Sequence, residues 1–312
     1  MTAGEGVINI LSSLTTTEPR FAFLPYKASM FDCMETVYIA ARAHGLIADL
    51  VPLDYQTLPD EKWHNEAEAF RQMGYDVISF DDFKEQSYDY IVIHYPYDRN
   101  NIVTRLTPEE CTDRLKQYGQ IVYIPYHGNI AGPEWKRFFT TPGCTGSDVV
   151  VLGSDNDVKW FREVNPDYSG TIILSKRPLK VEAAKYHEAD PMPEEFTVLA
   201  HPITLVLGTL HTFTRNPAER IAKHRNALQK LMQEEGSIIY RPHPLVRDAI
   251  AVMQPNYLSQ YDAMMSDFRE RVIVDESPFL SRAMRAADRM ICDPSSVTRT
   301  WEGTGKPCEV ME

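Results

Sequence analysis

Short apolar runs alternate with segments of helical pattern along most of the chain, and this alternation constrains the fold more than any other feature. Runs such as 21–24, 149–152 and 171–174 are almost wholly apolar instead of switching between apolar and polar residues. Such runs are typical of parallel strands that are buried on both faces. Their alternation with helices predicts βαβ units, so we expect an α/β protein built on parallel sheets.

The pattern places individual elements. In the first half we expect strands at 21–25, 48–53, 77–80, 90–95, 121–125, 149–153 and 171–174, and helices at 29–43, 66–73, 108–118 and 154–164. In the second half we expect strands at 196–200, 238–241, 272–275, 289–292 and 308–311, and helices at 216–235, 246–270, 278–287 and 295–304. Residues 1–17 are interpreted as a short polar leader with one apolar patch.

The length and one proline-rich segment predict two domains. The chain has 312 residues, more than one hydrophobic core usually holds. Prolines and charged residues collect in 178–195, which contains no strong strand. We expect an N-terminal Rossmann-like domain over 1–177, a linker over 178–195 and a C-terminal Rossmann-like domain over 196–312, with a cleft between the domains. Ligands of open parallel sheets bind at the carboxyl ends of strands, so loops that follow strands are the candidate sites.

The composition disfavours several classes of partner. A formal net charge of -12 repels nucleic-acid phosphates, so no nucleic-acid partner is expected. No apolar stretch approaches the roughly 18 residues of a membrane helix, so no integral membrane segment is expected. The five cysteines are scattered without a CxxC pair, which favours a reducing compartment over a disulfide scaffold or a zinc site. The N-terminus lacks a signal-peptide pattern, and we expect a cytoplasmic protein.

The turn 293–296 directly follows one expected strand and directly precedes a helix. The hydroxyls of Ser295 and Ser296, with free backbone N–H groups at a helix N-terminus, would form an anion site. The alternative is a plain helix cap. On the same helix Glu302 is a candidate ribose ligand or a solvated glutamate, and Gly305 ends the helix next to Lys306.

Two further loops each carry a histidine. Two prolines flank His243 and stiffen the backbone around it, and Arg241 supplies a nearby cation, which together favour phosphate binding or proton transfer over a plain exposed turn. In the first half His127 follows the strand at 121–125 and is a candidate general base, or a satisfied loop histidine. Gly128 beside it would allow a close approach of a ligand.

The loop after the first strand contains Lys27, which could reach an anionic substrate, and Ser29, which could cap the next helix, with Asp32 close by. A simple capping turn is the equal alternative. The acidic pairs at 155–157 and 81–82 are assigned to helix starts instead of metal sites. No Walker loop, no GxGxxG motif and no carboxylate cluster suited to Mg²⁺ stands out, so we expect neither a cofactor nor a metal.

Taken in order, these loops resemble the CDP-glycerol glycerophosphotransferase family, which includes teichoic-acid primases and polymerases. The motifs that carry the resemblance are His127-Gly128, Arg241-Pro242-His243-Pro244, Asp293-Pro294-Ser295-Ser296 and Gly305-Lys306-Pro307. The segment 23–32 also resembles a subgroup of uncharacterised members, and the likeness runs from about residue 21 onward. Three features depart from the family pattern: Asn129 replaces threonine, Pro294 replaces an aromatic residue, and 175–178 replaces a glycine-containing turn.

The resemblance implies a GT-B architecture in which the second domain binds the donor and the acceptor enters from the first. It implies transfer of glycerol phosphate from CDP-glycerol to an acceptor hydroxyl, for example on a glycan or polyol, with release of CMP. By the same likeness His127 is the base, His243 lies near the donor pyrophosphate, Ser295 and Ser296 bind phosphate, and Glu302 contacts the ribose more loosely. The family's polymerases associate with membranes through basic surfaces, which implies a peripheral position at the inner membrane face, but this acidic chain departs from them because no basic surface stands out in its sequence.

Two other functions fit the sequence. A GT-B glycosyltransferase that uses a nucleotide sugar would form a glycosidic product instead of a phosphodiester. A degenerate nucleotide-binding module would bind without turnover, and its function would not depend on His127 or His243.

Overall fold

The structure, a computed structural model, describes residues 1–58, 60–127, 133–175, 178–293 and 295–311, without the side chains of Pro133 and Glu134. The chain forms two compact units. Unit 1 comprises Met1–Thr57 and Glu61–Tyr186, and unit 2 comprises Leu58–Asp60 and His187–Glu312. Each unit is built on a parallel sheet with helices, which confirms the α/β class.

Unit 1 contains a six-stranded parallel sheet. The strands of the unit are β1 (Phe21–Leu24), β2 (Ala48–Leu50), β3 (Tyr55–Thr57), β4 (Lys62–His64), β5 (Tyr90–Ile93), β6 (Thr104–Leu106), β7 (Gln120–Tyr123), β8 (Val149–Leu152) and β9 (Thr171–Leu174). The parallel sheet has the order β2-β1-β5-β7-β8-β9, and every residue of β1, β5 and β8 is buried. The short strands β3, β4 and β6 form a separate antiparallel sheet, which the sequence pattern did not predict.

The helices of unit 1 are mostly short. They are α1 (Ala3–Ser13), α2 (Glu35–Ala43), α3 (Ala67–Gln72), α4 (Phe80–Lys84), α5 (Thr112–Leu115), α6 (Pro142–Thr145), α7 (Asp155–Val164) and α8 (Leu179–Tyr186), with 3₁₀ segments at Ala28–Cys33, Pro108–Glu110 and Pro133–Thr140. The helix expected at 29–43 is thus a 3₁₀ segment followed by α2, and the one expected at 108–118 is a 3₁₀ turn followed by α5. The acidic pairs do lie at helix starts, since Ser154 caps α7 and Ser79 caps α4.

The N-terminal segment is a helix and not a polar leader. Thr2 and Glu5 form a capping box at the start of α1, and Val7, Ile8 and Leu11 are fully buried in the core of unit 1. A Cβ atom at Gly4 would lie 2.2 Å from the carbonyl oxygen of Thr36, so a glycine is needed for α1 to pack this closely on α2. The interpretation as a leader was wrong because the polar residues form only the exposed face of this helix.

Unit 2 contains a five-stranded parallel sheet of order β12-β11-β10-β13-β14. Its strands are β10 (Ile203–Leu207), β11 (Ser237–Arg241), β12 (Ile273–Val274), β13 (Arg289–Cys292) and β14 (Cys308–Val310). Its helices are α9 (Glu194–Thr197), α10 (Leu210–Arg215), α11 (Pro217–Leu231), α12 (Val246–Met253), α13 (Leu258–Arg271), α14 (Leu280–Ala286) and α15 (Ser296–Glu302), with 3₁₀ segments at His187–Ala189 and Pro255–Tyr257.

Both faces of the unit 2 sheet are covered. Val206 and Tyr240 belong to one apolar cluster, with α11 and α13, whereas Leu205 and Ile239 belong to a second cluster with α14 and α15. Adjacent residues of a strand therefore point into different cores, which is why these strands carry no alternation of apolar and polar residues.

Two expected strands were wrong. Residues 77–80 form no strand, because the capping box of Ser79 and Asp82 begins α4 there. The strand expected at 196–200 lies instead at β10, and Phe196 belongs to α9. The helical region expected at 246–270 is confirmed, and it divides into α12 and α13 because Pro255 lacks an N–H group and clashes with a continuing helix.

The segment expected as a linker contains regular structure. Helix α8 belongs to unit 1, where the Glu182 carboxylate accepts hydrogen bonds from the N–H groups of Ala3 (2.7 Å) and Gly4 (2.9 Å) at the start of α1. The 3₁₀ turn His187–Ala189 and α9 belong to unit 2. The two units therefore divide between Tyr186 and His187.

Candidate functional site

The strand order of each sheet defines a switch point, where consecutive connections leave in opposite directions. In unit 2 this point lies between β10 and β13, and in unit 1 between β1 and β5. Crevices form at the carboxyl ends of strands at such points, and they are the usual ligand sites of open parallel sheets. The loops that follow these four strands are therefore the first candidates in each unit.

The switch point of unit 2 is organised around a buried carboxylate, Asp293, which directly follows β13. Its Oδ1 atom lies 2.7 Å from an Nη atom of Arg220 on α11. Its Oδ2 atom accepts hydrogen bonds from the hydroxyls of Thr212 (3.0 Å) and Thr209 (3.4 Å). Thr209 follows β10, so this network ties together the two loops of the switch point. Sequence reasoning missed Thr209, Thr212 and Arg220, because it placed the preceding strand about seven residues too early.

The turn after Asp293 leads into α15, as expected. Ser295 is the N-cap residue and Ser296 is the first residue of the helix, and both are half-buried. Thr298 fixes the turn, since its hydroxyl donates to the carbonyl oxygen of Ser295 at 2.5 Å and accepts from the Ser295 N–H at 3.4 Å. The first N–H groups of a helix have no partners inside it, so this end of α15 offers donors beside the switch point.

The loop after β11 places His243 at the same edge of the sheet. The Nδ1 atom of His243 accepts a hydrogen bond of 3.1 Å from the backbone N–H of Leu245. A neutral imidazole that accepts at Nδ1 carries its proton on Nε2, so the second nitrogen is a hydrogen-bond donor. Because β11 and β13 flank β10, the strands that precede the His243 and Ser295 loops are about 10 Å apart, at about 4.8 Å per strand.

Arg241 is engaged within the protein. Its side chain is buried and forms an ion pair of 2.5 Å with Asp275, and a second guanidinium nitrogen donates to the carbonyl oxygen of Ser277 at 2.7 Å. The cation expected to meet a phosphate thus holds the end of β11 to the loop after β12. Phosphate binding by Arg241 would have to use its remaining N–H groups.

Lys306 lies away from the phosphate turn at 293–296, with which the sequence analysis associated it. Its ammonium group contacts the carbonyl oxygens of Met284 (3.2 Å), Arg285 (3.0 Å) and Ala287 (2.6 Å) at the end of α14. These three acceptors use all three ammonium donors, and burial lowers the pKa of the amine. Lys306 precedes β14 and so sits at the amino edge of the sheet, opposite Ser295. The expected phosphate contact of Lys306 does not fit this placement.

Glu302 is exposed at the last turn of α15. It lies six positions after Ser296, which is about 9 Å along the helix axis. It therefore lies away from the phosphate turn but on the same helix.

In unit 1, Lys27 belongs to a buried polar network. Its ammonium group lies 2.7 Å from the hydroxyl of Tyr55 and 3.0 Å from the carboxylate of Glu66. The same carboxylate accepts from the Tyr55 hydroxyl at 2.8 Å and from the Ala28 N–H at 2.7 Å. Only 9% of Lys27 is exposed, so its charge is neutralised inside the protein. Direct capture of an anionic substrate by Lys27 does not fit this arrangement.

His94 closes the switch point of unit 1 and was missed from the sequence. It directly follows β5, it is fully buried, and its Nε2 atom accepts the N–H of Tyr26 at 3.2 Å. Burial lowers the pKa of His94 to about 3, and the positive charge of Lys180 adds to the shift. This neutral imidazole therefore joins the ends of β1 and β5.

Ser29 and Asp32 lie on the 3₁₀ segment that follows this loop. Lys180 on α8 pairs with Asp32 at 3.2 Å and donates to the carbonyl oxygen of Tyr126 at 3.1 Å. The Ser29 hydroxyl is buried without a hydrogen bond to a residue that the structure describes. Lys180 thereby links the segment that holds Asp32 to the loop that holds His127.

His127 is half-buried in an aromatic environment at the end of β7. Its ring lies 5.4 Å from the ring of Tyr126 and 5.1 Å from that of Phe138. Gly128, Asn129, Pro294 and the pair 176–177 lie outside the described residues. Within the described ranges, no group of three or more His, Cys, Asp or Glu side chains is arranged to hold a metal ion. Among the helices described there, none has the length and apolar character to cross a membrane.

The fold is similar to that of solved UDP-GlcNAc 2-epimerases. The Methanocaldococcus jannaschii enzyme, in complex with UDP-GlcNAc and UDP, has a TM-score of 0.60 at 10% identity, over 93% of this chain and 83% of that chain. The Neisseria meningitidis enzyme bound to UDP-GlcNAc has a TM-score of 0.58 at 11% identity, over 93% and 81% of the two chains. No protein family profile and no curated protein sequence matches.

The wall teichoic acid polymerase TagF is a more distant neighbour. Its TM-score is 0.48 at 14% identity, over 97% of this chain and 74% of that chain, which is too low to bear on the donor. At the identities of the epimerases the likeness establishes the fold alone. The chain therefore has the α/β fold with parallel sheets of GT-B-like enzymes.

Proposed function

We propose that the protein is a transferase that uses a nucleotide-activated donor, bound by unit 2, and that the donor is a CDP-activated polyol phosphate such as CDP-glycerol. The supporting observation is the convergence of three loops at the carboxyl edge of one sheet. The loops after β10, β11 and β13 bring Thr209, His243 and Ser295 to this edge. Two helix-start serines, backbone N–H groups and an imidazole N–H form a set of donors suited to a diphosphate.

In the proposed reaction an acceptor hydroxyl attacks the phosphorus atom of the glycerol phosphate. A P–O bond to the acceptor forms, the P–O bond to the CMP phosphate breaks, and CMP leaves. His127 of unit 1 takes the acceptor proton. His243 donates from Nε2 to the phosphate oxygen that gains charge, while the Ser295 and Ser296 hydroxyls and the start of α15 hold the other oxygens. The acceptor is a hydroxyl of a glycan or polyol.

A donor screen tests the proposal. The purified protein is incubated with a polyol or glycan acceptor and either CDP-glycerol or, separately, UDP-sugars, and released CMP, UMP and UDP are measured. We expect CMP release from CDP-glycerol that persists in EDTA. Release of UDP with a glycosidic product would identify a glycosyltransferase instead. Nucleotide binding without any release would identify a binding module.

Histidine variants test the residue roles in the same assay. His127→Ala and His243→Ala should each lower the rate by a factor of about 10² to 10⁴, the usual contribution of a positioned acid or base. His44→Ala is the matched control, because His44 is exposed at the end of α2. Full activity in His127→Ala would remove the general base from the proposal, and full activity in His243→Ala would remove the diphosphate contact.

A further inference from the structure

The carboxylate of Asp293 lies next to the turn that is proposed to bind phosphate. Asp293 and Ser295 are two residues apart, so their Cα atoms are at most about 7 Å apart. Asp293 is only 4% exposed, so water does little to screen its charge. A buried carboxylate beside the turn would repel a donor diphosphate, because ions in solution screen a buried charge much less than an exposed one.

Arg220 is the cation that opposes this charge. Its guanidinium lies 2.7 Å from Asp293, and the side chains in this pair are 13% and 6% exposed. The hydroxyls of Thr209 and Thr212 complete the hydrogen bonding of the carboxylate without adding charge. The Arg220–Asp293 pair beside the turn therefore carries no net charge.

We propose that Arg220 is a positioning residue of the donor site, which neutralises Asp293 and so permits a diphosphate to bind at the 295–296 turn. The inference rests on the proposed function, since it concerns the same nucleotide. Arg220 acts through Asp293.

Binding of CDP, UDP and cytidine by the full chain tests the inference. Isothermal titration gives the affinities of CDP and UDP, and ligand-observed NMR gives that of cytidine. Arg220→Gln should weaken binding of the nucleoside diphosphate about tenfold or more, because the diphosphate is repelled by an Asp293 carboxylate that has lost its cation. Binding of cytidine, which carries no phosphate, should be nearly unchanged. Arg225→Gln is the matched control, as Arg225 is exposed on the same helix.

A second substitution separates charge from structure. Adding Asp293→Asn to Arg220→Gln removes the uncompensated carboxylate and should restore most of the diphosphate affinity. Asp293→Asn alone leaves Arg220 positive and should bind CDP at least as tightly as the unmodified protein, although the turn loses an ionic contact. Arg220→Lys keeps the charge and should retain more affinity than Arg220→Gln. Circular dichroism checks that each variant is folded.

The outcomes distinguish the two proposals. If the unmodified protein binds neither CDP nor UDP, the proposed function is wrong and this inference falls with it. If the unmodified protein binds a diphosphate and Arg220→Gln binds it equally well, this inference alone is overturned. Equal loss of diphosphate and cytidine binding, or a double variant weaker than Arg220→Gln, would also overturn it, because both results indicate a purely structural contact. If Arg220→Gln does not fold, the CDP affinity of Asp293→Asn tests the inference instead. Weaker CDP binding by Asp293→Asn than by the unmodified protein would overturn it.

Discussion

The switch points of the two sheets are filled in different ways. In unit 1 the ends of β1 and β5 are joined by the hydrogen bond between Tyr26 and His94, and the Lys27–Glu66 pair lies beside them. In unit 2 the hydroxyls of Thr209 and Thr212 and the small residue Gly208 lie where the ends of β10 and β13 meet. The Arg220–Asp293 pair lies next to the turn that follows β13. Each sheet thus has a buried ion pair near its switch point, but an imidazole joins the strand ends in unit 1, whereas threonine hydroxyls join them in unit 2.

This difference separates a structural network from a candidate binding site. In unit 1 the donors of Lys27 are met by Tyr55 and Glu66, and the rings of Tyr26 and Tyr55 pack edge to face at 5.3 Å. In unit 2 the hydroxyls and the helix start leave donors at the edge of the sheet. The comparison predicts that changes at the first switch point act on stability without an effect on ligand affinity, whereas polar changes at the second act on ligand binding as well as on stability.

The largest expected effect is from Lys27→Met. The substitution leaves the Glu66 carboxylate partly buried without its cation, and loss of one member of a buried pair is typically strongly destabilising. We expect the free energy of unfolding of unit 1 to fall by about 3 kcal/mol. Urea titration followed by tryptophan fluorescence measures this, because three of the four tryptophans belong to unit 1.

Lys84→Met is the control for this prediction. Lys84 pairs with Asp81 at 2.7 Å, but 89% of the Asp81 side chain is exposed, so the loss of stability should be much smaller than for Lys27→Met. The double variant with Lys27→Met and Glu66→Gln should recover part of the lost stability. Equal losses for Lys27→Met and Lys84→Met would contradict a structural role for the Lys27 network.

Acid should destabilise both units through one buried histidine each. Burial lowers the pKa of His94 in unit 1 and of His224 in unit 2 to about 3. In the unfolded chain each histidine takes up a proton below pH 6.5, while in the folded chain it stays neutral, so stability is complete above pH 6.5 and declines as the pH falls toward 3. Each histidine should account for a loss of about 2 kcal/mol between pH 6.5 and pH 5.

Glutamine substitutions isolate this contribution. Between pH 7 and pH 5, His94→Gln should lose about 2 kcal/mol less stability than the unmodified protein, and His224→Gln likewise. The measurement is the free energy of unfolding at both pH values, and the two effects should add because the residues lie in different units. An unchanged pH dependence in His94→Gln would mean that this histidine is protonated in the folded protein.

The sequence predicts the sheets well where strands are buried on both faces. The expected strands at 21–25 and 149–153 match β1 and β8, in which every residue is buried, because an unbroken apolar run is a direct signal of a covered strand. The antiparallel sheet gave no such signal, since its strands have only three residues and β4 carries Lys62 and His64. A strand was expected at 196–200 because the segment begins with an apolar residue, but Phe196 is a buried residue of helix α9.

The sequence predicts where the candidate residues lie relative to the strands, but it does not predict which side chains they contact. The positions of His243 and Ser295 follow from the strands that precede them. The engagement of Lys27 depends on Glu66, 39 residues away, and that of Arg241 depends on Asp275, 34 residues away. No local pattern reveals such pairs, so sequence reasoning treats a basic side chain beside a candidate site as available for ligand. The Arg220–Asp293 pair, separated by 73 residues, was invisible for the same reason.

The smallest effect we expect comes from Gly208→Ala, which tests whether small residues are required at the second switch point. A Cβ atom at Gly208 would lie 2.9 Å from the Tyr240 hydroxyl and 3.3 Å from the Phe213 ring, so the substitution should cost about 1 kcal/mol of unfolding free energy. The Tyr240 hydroxyl is buried without a hydrogen-bond partner in the described part of the chain, so Tyr240→Phe alone should be neutral or slightly stabilising. In Gly208→Ala with Tyr240→Phe the closest contact is gone, and most of the loss should disappear. If the double variant is no more stable than Gly208→Ala, the strain arises instead from the contact with Phe213 or with the turn at Pro242.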